Sequence, residues 1–321
     1  MKYLITLIIP TFNRPNDLQK CLISVVNSTR KPDEVIIVDD AGKYDLSDIV
    51  KEILVDKIEY KIIKNEKNVG HSTSRNIGIK NSKGDLIFFL DDDCEVLPDY
   101  FLEIEKIYLT DKEEKIGGIE GIIINDGSQE ISPIDSFFTK FFMLNGIDKT
   151  SRIFPSGNST QSNEEVKTIE VEILMGAASF RKKVYTDFKY NENFSGWSPD
   201  DQEFSYRVSK KYKLLHHPKA KLYHYHVRQS RESEILNYSK RVWMHYIIWR
   251  RCVDLSFINS LCFIWSEIGF LLYNIICIFR HRALSTPIKR IFGLFFGYFI
   301  TIKLIFDEIL KKKEFGGKFY E

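Results

Sequence analysis

A short apolar run that ends in three consecutive aspartates places the strongest constraint on how this chain can fold. Residues 86–90 are five apolar residues without alternation, and Asp91, Asp92 and Asp93 follow directly. A continuous apolar run of this length is typical of a strand that is buried on both faces. The three carboxylates then fall at the carboxyl end of that strand, which is the edge where open α/β sheets bind their ligands.

Three adjacent carboxylates repel one another, so this position favours a partner of opposite charge. A hard divalent cation is one such partner, because these ions take oxygen ligands and Mg²⁺ typically binds substrate phosphates as well. The alternative is a solvated acidic turn, since polar loops at strand ends are common in α/β proteins. The run therefore predicts either a metal site or an acidic loop at the edge of the sheet.

Apolar and polar segments alternate along the first part of the chain in a β–α pattern. The pattern predicts an α/β fold, with a Rossmann-like, mainly parallel central sheet and right-handed crossovers. Strands are predicted over residues 4–9, 34–38, 58–63 and 86–90, and helices from about residue 16 to 28, over 47–54 and from residue 72. Three strand ends then present polar side chains to one rim, namely Asn13 with Arg14, Asp39 with Asp40, and Asp91 with Asp93.

The following residues continue the α/β pattern with one long interruption. Residues 125–165 are polar apart from one apolar patch over 137–144. We expect them to form a flexible cover over the site, because loops of this length in a compact domain are usually functional or disordered. The sequence has neither GxGxxG nor GxxxxGK[ST], so the usual dinucleotide and P-loop classes lose support. Further strands are predicted over 116–124, 169–175, 213–217 and 220–226, with helices over 98–109 and from Pro199.

The C-terminal part of the chain differs from the rest in charge and hydropathy. Residues 227–321 hold 15 Lys and Arg against 8 Asp and Glu, a net charge of +7, whereas residues 1–226 have a net charge of −5. Within this tail, residues 258–279 carry one charge, Glu267, and residues 291–302 carry none. The first stretch is long enough to cross a bilayer, but Glu267 counts against an isolated span, and the second stretch is too short to cross unaided.

These features predict a globular domain over residues 1–226 and a helical tail over residues 227–321. We expect the tail to form a helical pair that lies in the membrane interface, because basic residues beside apolar helices favour an anionic lipid surface over nucleic acid. An ordinary buried helical hairpin is the alternative. The five cysteines form no CxxC pair, which is typical of reduced thiols in the cytosol, and the apolar stretch before Pro10 is too short for a signal-peptide core.

Five short motifs stand in a fixed order between about residues 4 and 226. They are Ile9-Pro10-Thr11-Phe12-Asn13-Arg14, Val38-Asp39-Asp40, Asn68-Val69-Gly70 with Ser74-Arg75-Asn76-Ile77-Gly78, Phe89-Leu90-Asp91-Asp92-Asp93, and Trp197 with Asp200-Asp201-Gln202-Glu203 and Arg207. Together they resemble the motifs of the family-2 inverting glycosyltransferases, which have a GT-A fold. The chain departs from the family pattern at Ala41-Gly42, where Ser or Asn is frequent, and at Asp200-Asp201, where Glu-Asp is common.

The resemblance implies an enzyme that uses a nucleoside diphosphate sugar and Mn²⁺ or Mg²⁺. Asp91 and Asp93 then form the DxD pair, with Asp93 as the more direct metal ligand and Asp91 nearer the ribose. A histidine at the end of the last strand, His224 or His226, would complete the metal shell, since imidazole is an adequate ligand for Mn²⁺-type ions. Either histidine is equally well explained as a core or surface residue.

The resemblance also assigns a nucleotide-sugar site to the strand ends. Asp40 would accept a hydrogen bond from the nucleobase, and Arg75 would contact the base or the diphosphate unless it is a surface charge of its helix. The residues assigned to this site are Pro10, Thr11, Asn13, Arg14, Asp40, Asn68, Gly70, Arg75, Asp91 and Asp92.

Inversion in a single displacement needs a base for the acceptor hydroxyl, and a carboxylate suits this role. Asp201 is our candidate for this base, and Asp200 beside it is the second candidate. A position at the start of a helix would stabilise the ionised form of Asp201, although acidic residues are also frequent there as simple caps.

The tail bears on which acceptor we expect. We predict a lipid-linked saccharide or a polysaccharide as acceptor, and a location on the cytoplasmic side of the cell membrane, peripheral or monotopic. The alternative within enzymes is a transferase that adds a sugar directly to a polyprenyl phosphate. The alternative from another class is a catalytically inactive membrane scaffold, which the intact set Asp91, Asp93 and Asp201 disfavours.

Overall fold

The computed structural model describes residues 2–124, 133–162, 164–192, 194, 199–225, 233–280 and 285–311. Contacts divide the chain into two units, each made of two segments. The first unit is Met1–Ser128 with Asn163–Val227, and the second is Gln129–Ser162 with Arg228–Glu321. The division into residues 1–226 and 227–321 stays a prediction, and the contacts group residues 129–162 with the C-terminal segment.

A nine-stranded sheet among the described residues forms the centre of the first unit. The strands of both units, numbered along the chain, are β1 (Ile5–Thr11), β2 (Glu34–Asp39), β3 (Glu59–Lys64), β4 (Leu86–Phe89), β5 (Cys94–Val96), β6 (Ile116–Ile123), β7 (Gly146–Asp148), β8 (Arg152–Ile153), β9 (Ser159–Ser162), β10 (Ile169–Val171), β11 (Ala178–Arg181) and β12 (Lys213–His224). The order of the strands in the nine-stranded sheet is β10-β12-β6-β11-β4-β1-β2-β3, with β5 paired to β12.

The strand directions confirm a mainly parallel sheet. β1 is parallel to β2 and β4, and β2 is parallel to β3. β11 is antiparallel to both β4 and β6, and β12 is parallel to β6, so β6 and β12 point the same way as β4. Among the nine described strands of this sheet, only β5, β10 and β11 run the other way. The carboxyl ends of β1, β2, β4 and β12 therefore meet at one edge.

The core lies on both faces of this sheet. Leu86 and Phe88 of β4 pack into one apolar cluster, and Ile87 and Phe89 pack into a second cluster on the opposite face. All four side chains are fully buried. This double burial is the reason that the run before the aspartates shows no alternation, as predicted.

The helices begin close to the predicted positions, with one difference that affects the site. The helix after β3 begins at His71 rather than at residue 72, and Gly70 is its N-cap at a φ of 88°. Glycine adopts this φ without strain, so the turn into the helix requires it. The helices are α1 (Pro15–Val26), α2 (Ser47–Leu54), α3 (His71–Asn81), α4 (Tyr100–Thr110), α5 (Pro133–Phe141), α6 (Val184–Asp187), α7 (Asp200–Ser209), α8 (Glu234–Cys252), α9 (Phe257–Arg280) and α10 (Ser285–Lys311).

The two strands predicted over 213–217 and 220–226 form a single strand, β12, which ends at His224. Pro218 lies inside it, and the pairing with β6 shifts register between His217 and Lys221. Proline has no N–H for the ladder, so it is accommodated at such an irregularity. The bulge lets one strand continue past the proline to the edge where the aspartates lie.

The second unit contains a helix and a small sheet where the sequence suggested a long irregular loop. Residues 133–162 form α5 and the three-stranded sheet β7-β9-β8, so the prediction of a long loop is wrong for this range. That the segment covers the site stays a prediction. The apolar side chains of α5 and the residues after it pack against α9, which supplies the core that makes this segment fold; the cluster contains Phe138, Phe142, Leu144, Phe270, Tyr273 and Ile276.

The C-terminal segment is helical, as predicted. Residues 233–280 and 285–311 form α8, α9 and α10, and α10 pairs mainly with α8. Among the described residues one helical stretch, Phe257–Ile278, is long and apolar enough to cross a membrane. Its one charge, Glu267, is buried and hydrogen bonds with Arg241 at 3.1 Å, with His245 and with Tyr298.

Candidate active site

The ends of β4 and β12 bring the predicted metal-binding residues together. Asp91 is partly exposed after β4, whereas Asp92 and Asp93 are buried. His224 ends β12, and its Nε2 lies 3.1 Å from Asp93 Oδ1 and 3.6 Å from Asp91 Oδ2. Of the two candidate histidines, His224 thus lies at the carboxylates, and His226 lies outside the described residues.

These side chains form a cluster that can hold a metal ion. Four potential ligand atoms all lie within 4.8 Å of one another, from Asp91, Asp93, Cys94 and His224. Burial raises the pKa of the Cys94 thiol well above its usual range, so its sulfur stays protonated and is a poor ligand. Two carboxylates and one imidazole remain, and this donor set fits Mn²⁺ or Mg²⁺ better than a soft metal.

Asp92 faces the end of β1 instead of the cluster. Its Oδ2 accepts a hydrogen bond from Thr11 Oγ1 at 2.7 Å, and its Oδ1 accepts one from Arg14 Nη1 at 3.1 Å. Arg14 Nη1 also lies 3.3 Å from Asp93 Oδ2. Burial raises the pKa of Asp92 to about 6 against the opposing effects of Thr11 and Arg14. Thr11 and Arg14 therefore tie β1 to the aspartate loop, close to where the nucleotide is expected.

Asp40, at the end of β2, braces the turn that leads into α3. Its Oδ1 accepts hydrogen bonds from Asn65 Nδ2 at 2.9 Å and from Val69 N at 2.8 Å, and its Oδ2 accepts one from Gly70 N at 2.9 Å. The carboxylate is buried. Asp40 thus orders the start of α3, and its contact with a nucleobase stays a prediction.

The remaining predicted nucleotide residues lie around the same rim. Pro10 lies within β1, and Asn13 follows β1 with a φ of 59°, accepting a hydrogen bond from Lys43 N at 2.8 Å. Asn68 Nδ2 lies 3.5 Å from the carbonyl oxygen of Asp40. These contacts order the loops after β1 and β2, which both end at the edge that carries the aspartates.

Arg75 connects the aspartate loop to the acidic pair at the start of α7. It is fully buried, and its Nη1 lies 3.3 Å from Asp200 Oδ2 and also donates to Asp201 Oδ1. Its Nη2 lies 3.8 Å from Asp91 Oδ1. Arg75 is therefore a buried residue that holds the candidate base, and the alternative of a helix surface charge is wrong.

His71 is a residue of the site that sequence reasoning missed. As the first residue of α3, it places Nε2 3.3 Å from Asp91 Oδ1 and Nδ1 3.8 Å from Asp200 Oδ2. Burial and Arg75 lower its pKa, but the neighbouring carboxylates of Asp200 and Asp91 raise it to about 9. His71 thus adds a second positive group between the two carboxylate sets. Its position directly after Gly70, at the turn into the next helix, was the available signal in the sequence.

The two residues of the acidic pair differ in exposure and in the direction of their pKa shifts. The side chain of Asp200 is 3% exposed and accepts a hydrogen bond from Ser72 Oγ at 2.9 Å, whereas the side chain of Asp201 is 21% exposed. Burial raises the pKa of Asp201 to about 6, against the effect of Arg75 and together with the charge of Asp200. Burial also acts to raise the pKa of Asp200, but Arg75, His71 and Ser72 lower it overall.

The shift of Asp201 runs opposite to the one expected from its place at a helix N-terminus, because burial outweighs the helix dipole. A carboxyl with a pKa of about 6 is still mostly ionised at neutral pH. Asp201 can therefore accept a proton near neutral pH. Trp197 of the fifth motif lies outside the described residues.

Comparison with sequence families gives a match over the part of the chain that carries the first four motifs. Residues 6–113 match the profile of Glycosyl transferase family 2. The matched range contains β1 to β4 and the three aspartates, whereas Asp201 and His224 lie beyond it.

Two curated relatives illustrate the range of similarity. Glycosyltransferase GlyA of Streptococcus pneumoniae serotype 4 is 24% identical over 76% of this chain and 33% of its own length. The GalNAc(5)-diNAcBac-PP-undecaprenol beta-1,3-glucosyltransferase of Campylobacter jejuni is 35% identical over 29% of this chain and 30% of its own length. The chain thus spans about a third of the length of these relatives.

A solved structure shows the same fold. The mannosyltransferase PcManGT from Pyrobaculum calidifontis, in complex with GDP-Man and Mn²⁺, superposes with a TM-score of 0.59 at 12% identity, covering 94% of this chain and 88% of that one. The likeness confirms the predicted GT-A fold.

Proposed function

We propose that this chain, which belongs to glycosyl transferase family 2, transfers a sugar from a nucleoside diphosphate donor to a saccharide or lipid-linked acceptor, with inversion. One observation carries the proposal. The cluster of Asp91, Asp93 and His224 stands on one side of Arg75, and the partly exposed Asp201 stands on the other. A leaving-group site and a base are thus available on two sides of one space.

Asp91, Asp93 and His224 would hold the divalent cation, whose chemistry here is Lewis-acid stabilisation of the leaving diphosphate. Thr11 and Arg14 hold Asp92 in place behind this cluster. The charge of Arg14 beside Asp93 also offsets the repulsion among the three aspartates. The protein part of the diphosphate site is therefore ordered before a donor binds.

Asp201 acts as the base in the transfer step. As the acceptor oxygen bonds to the anomeric carbon, its proton passes to Asp201, and the bond from that carbon to the diphosphate oxygen breaks with its electron pair going to the oxygen. Arg75 holds Asp201 Oδ1, so Oδ2 is the oxygen that takes the proton. A single displacement of this kind inverts the configuration of the sugar.

A panel of nucleotide sugars tests this proposal directly. The full chain is incubated with UDP-glucose, UDP-galactose, UDP-GlcNAc, UDP-GalNAc or GDP-mannose and with Mn²⁺ or Mg²⁺, and release of nucleoside diphosphate is measured. Metal-dependent release from at least one donor is expected. Binding without release from any donor in the presence of lipid-linked acceptors would favour the inactive scaffold.

The pKa of Asp201 predicts how activity depends on pH. Because the base must be ionised and its pKa is raised to about 6, kcat/KM should fall about tenfold for each pH unit below 6 and stay level between pH 7 and 8. The measurement is initial-rate nucleotide release between pH 4.5 and 8, with circular dichroism at each pH to exclude unfolding. An activity that is unchanged from pH 8 to pH 5 would contradict this assignment.

We also propose that the acceptor is lipid-linked and that the second unit binds the membrane surface. The exposed apolar side chains of α9 and α10 support this. The one charged residue of the apolar stretch in α9, Glu267, is buried and hydrogen bonds with Arg241 and His245, so its charge does not lie on the exposed apolar surface. An undecaprenol-linked substrate in the name of one relative adds support. The exposed residues on these helices include Phe257, Ile258, Leu261, Ile264, Phe292, Phe295, Phe299 and Phe306.

Substitution of one exposed aromatic residue tests the membrane surface. Phe299 is 67% exposed on α10, and Phe299→Glu should lower binding to anionic vesicles about tenfold or more, because burying one phenylalanine is worth about 1.5–3 kcal/mol. Ile23→Glu on α1 is the matched control, since Ile23 is also exposed but lies in the first unit. Bound protein should resist high salt and be released by carbonate. Equal loss in both variants, or no vesicle binding by the unaltered chain, would rule out this surface.

A further inference from the structure

Gly176 lies in the space between the metal cluster and the acidic pair. A Cβ atom at this position would stand 3.3 Å from Asp201 Oδ2, 3.4 Å from Arg75 Nη2 and 3.4 Å from Asp91 Oδ2. Gly176 is not among the described residues with positive φ, so its backbone would accept a side chain. The glycine is therefore not needed for the conformation of the chain, and its effect is to leave open the space in front of three charged groups.

The backbone around Gly176 is held from both sides. Met175 N donates to the buried Glu120 Oε2 at 2.6 Å, and Tyr100 Oη donates to the carbonyl oxygen of Ala177 at 3.1 Å. Ala178 N donates to the carbonyl oxygen of Gly176 at 3.1 Å. A side chain added at Gly176 could not be accommodated by withdrawal of this segment, so it would occupy the open space.

The side chain of Arg75, which borders this space, has a hydrogen-bond donor without an acceptor among the described residues. Arg75 is fully buried, yet within the described part of the chain its Nη2 makes no hydrogen bond. A buried donor without an acceptor is unfavourable, so this nitrogen is suited to a ligand oxygen. The two carboxylate oxygens that border the same space, Asp201 Oδ2 and Asp91 Oδ2, can accept hydrogen bonds from a ligand. A ligand with several hydroxyl groups, each able to donate and accept, satisfies all three.

We propose that Gly176 is a specificity-determining residue, which leaves the place that a methyl group would fill open to a hydroxyl group of the transferred sugar. This inference rests on the proposed function. A hydroxyl of the sugar accepts a hydrogen bond from Arg75 Nη2 and another donates to Asp91 or Asp201. A methyl group at residue 176 then takes the place of the sugar hydroxyl beside Arg75 Nη2 and Asp91 Oδ2, and it removes no charge and no metal ligand.

The test separates the sugar from the nucleotide. In Gly176→Ala, kcat/KM for the donor that the unaltered protein uses best should fall about tenfold or more, and in Gly176→Val it should fall further, since a single methylene in a tight pocket has an effect of this size. The dissociation constant of the matching nucleoside diphosphate with Mn²⁺, measured by calorimetry, should change less than about twofold in Gly176→Ala.

A second glycine supplies the matched control. A Cβ at Gly117 of β6 would stand 2.5 Å from Tyr212 Cβ, so Gly117→Ala adds the same methyl group and disturbs packing at a different place. It should lower the melting temperature and leave the KM for the donor unchanged. If Gly176→Ala lowers nucleotide binding and stability together, as packing damage would, the inference is wrong.

The outcomes also distinguish this inference from the function on which it rests. If the unaltered chain releases nucleotide and Gly176→Ala has the same KM and kcat, the inference fails and the transferase function stands. If the unaltered chain neither binds nor cleaves any nucleotide sugar of the panel, the proposed function fails, and the inference fails with it.

Discussion

Asp201→Asn should lower turnover about 10²-fold or more, the usual scale for removal of a positioned general base. Donor binding should remain, because Asp201 is partly exposed and asparagine keeps its shape. The low-pH decline in activity should also disappear in this variant, since the group with the raised pKa is gone. The measurements are single-turnover nucleotide release and calorimetry with the nucleoside diphosphate.

Asp200→Asn is the matched control for this prediction. Asp200 is buried and holds Ser72 and Arg75, so its substitution should lower the melting temperature more than Asp201→Asn does. A folded Asp201→Asn protein with full turnover, beside an inactive Asp200→Asn protein, would show that the base is the other member of the pair.

Asp93→Ala should weaken binding of Mn²⁺ about tenfold or more, because even the outer partners of metal ligands have effects of this size. Asp93 is the buried carboxylate whose Oδ1 lies 3.1 Å from His224 Nε2, so its loss removes the centre of the cluster. Electron paramagnetic resonance of free Mn²⁺ measures this binding without any turnover. EDTA should abolish nucleotide release by the unaltered chain.

Asp92→Asn is the matched control for Asp93→Ala, because it changes an aspartate that is next to the metal cluster but does not belong to it. Asp92 carries the same charge one residue earlier, but it faces Thr11 and Arg14. It should keep its affinity for Mn²⁺ within about threefold, far less than the loss expected for a ligand. Equal weakening in both variants would mean that the aspartates act only through their summed charge, and activity that persists in excess chelator would remove the metal from the mechanism.

The sequence was most informative where a local pattern has one physical cause. The unbroken run before Asp91 predicted a strand buried on both faces, and Leu86 to Phe89 indeed pack into two clusters. The β–α alternation likewise predicted that several strand ends meet at one edge, which is how His224 comes to lie beside Asp93. These features depend on short stretches of chain and on general rules of sheet topology.

Other parts of the site depend on contacts between distant segments, and no local pattern contains them. The ion pairs of Arg75 with Asp200 and Asp201 join residues more than 120 positions apart. Their burial decides that the pKa of Asp201 rises, although a helix N-terminus alone would lower it. The open space at Gly176 arises in the same way, from side chains on α3, on α7 and in the loop after β4.

The second unit is assembled from two separated segments, and this has a consequence for synthesis of the chain on the ribosome. Phe138, Phe142 and Leu144 pack against Phe270 and neighbouring residues of α9, roughly 130 positions later. At about 5–20 residues per second, the early apolar side chains wait about 6–25 s for their partners. During that interval they are available to chaperones or to aggregation. In a chain that ends before α8, these apolar side chains would stay without their partners, even where the nine-stranded sheet folds normally.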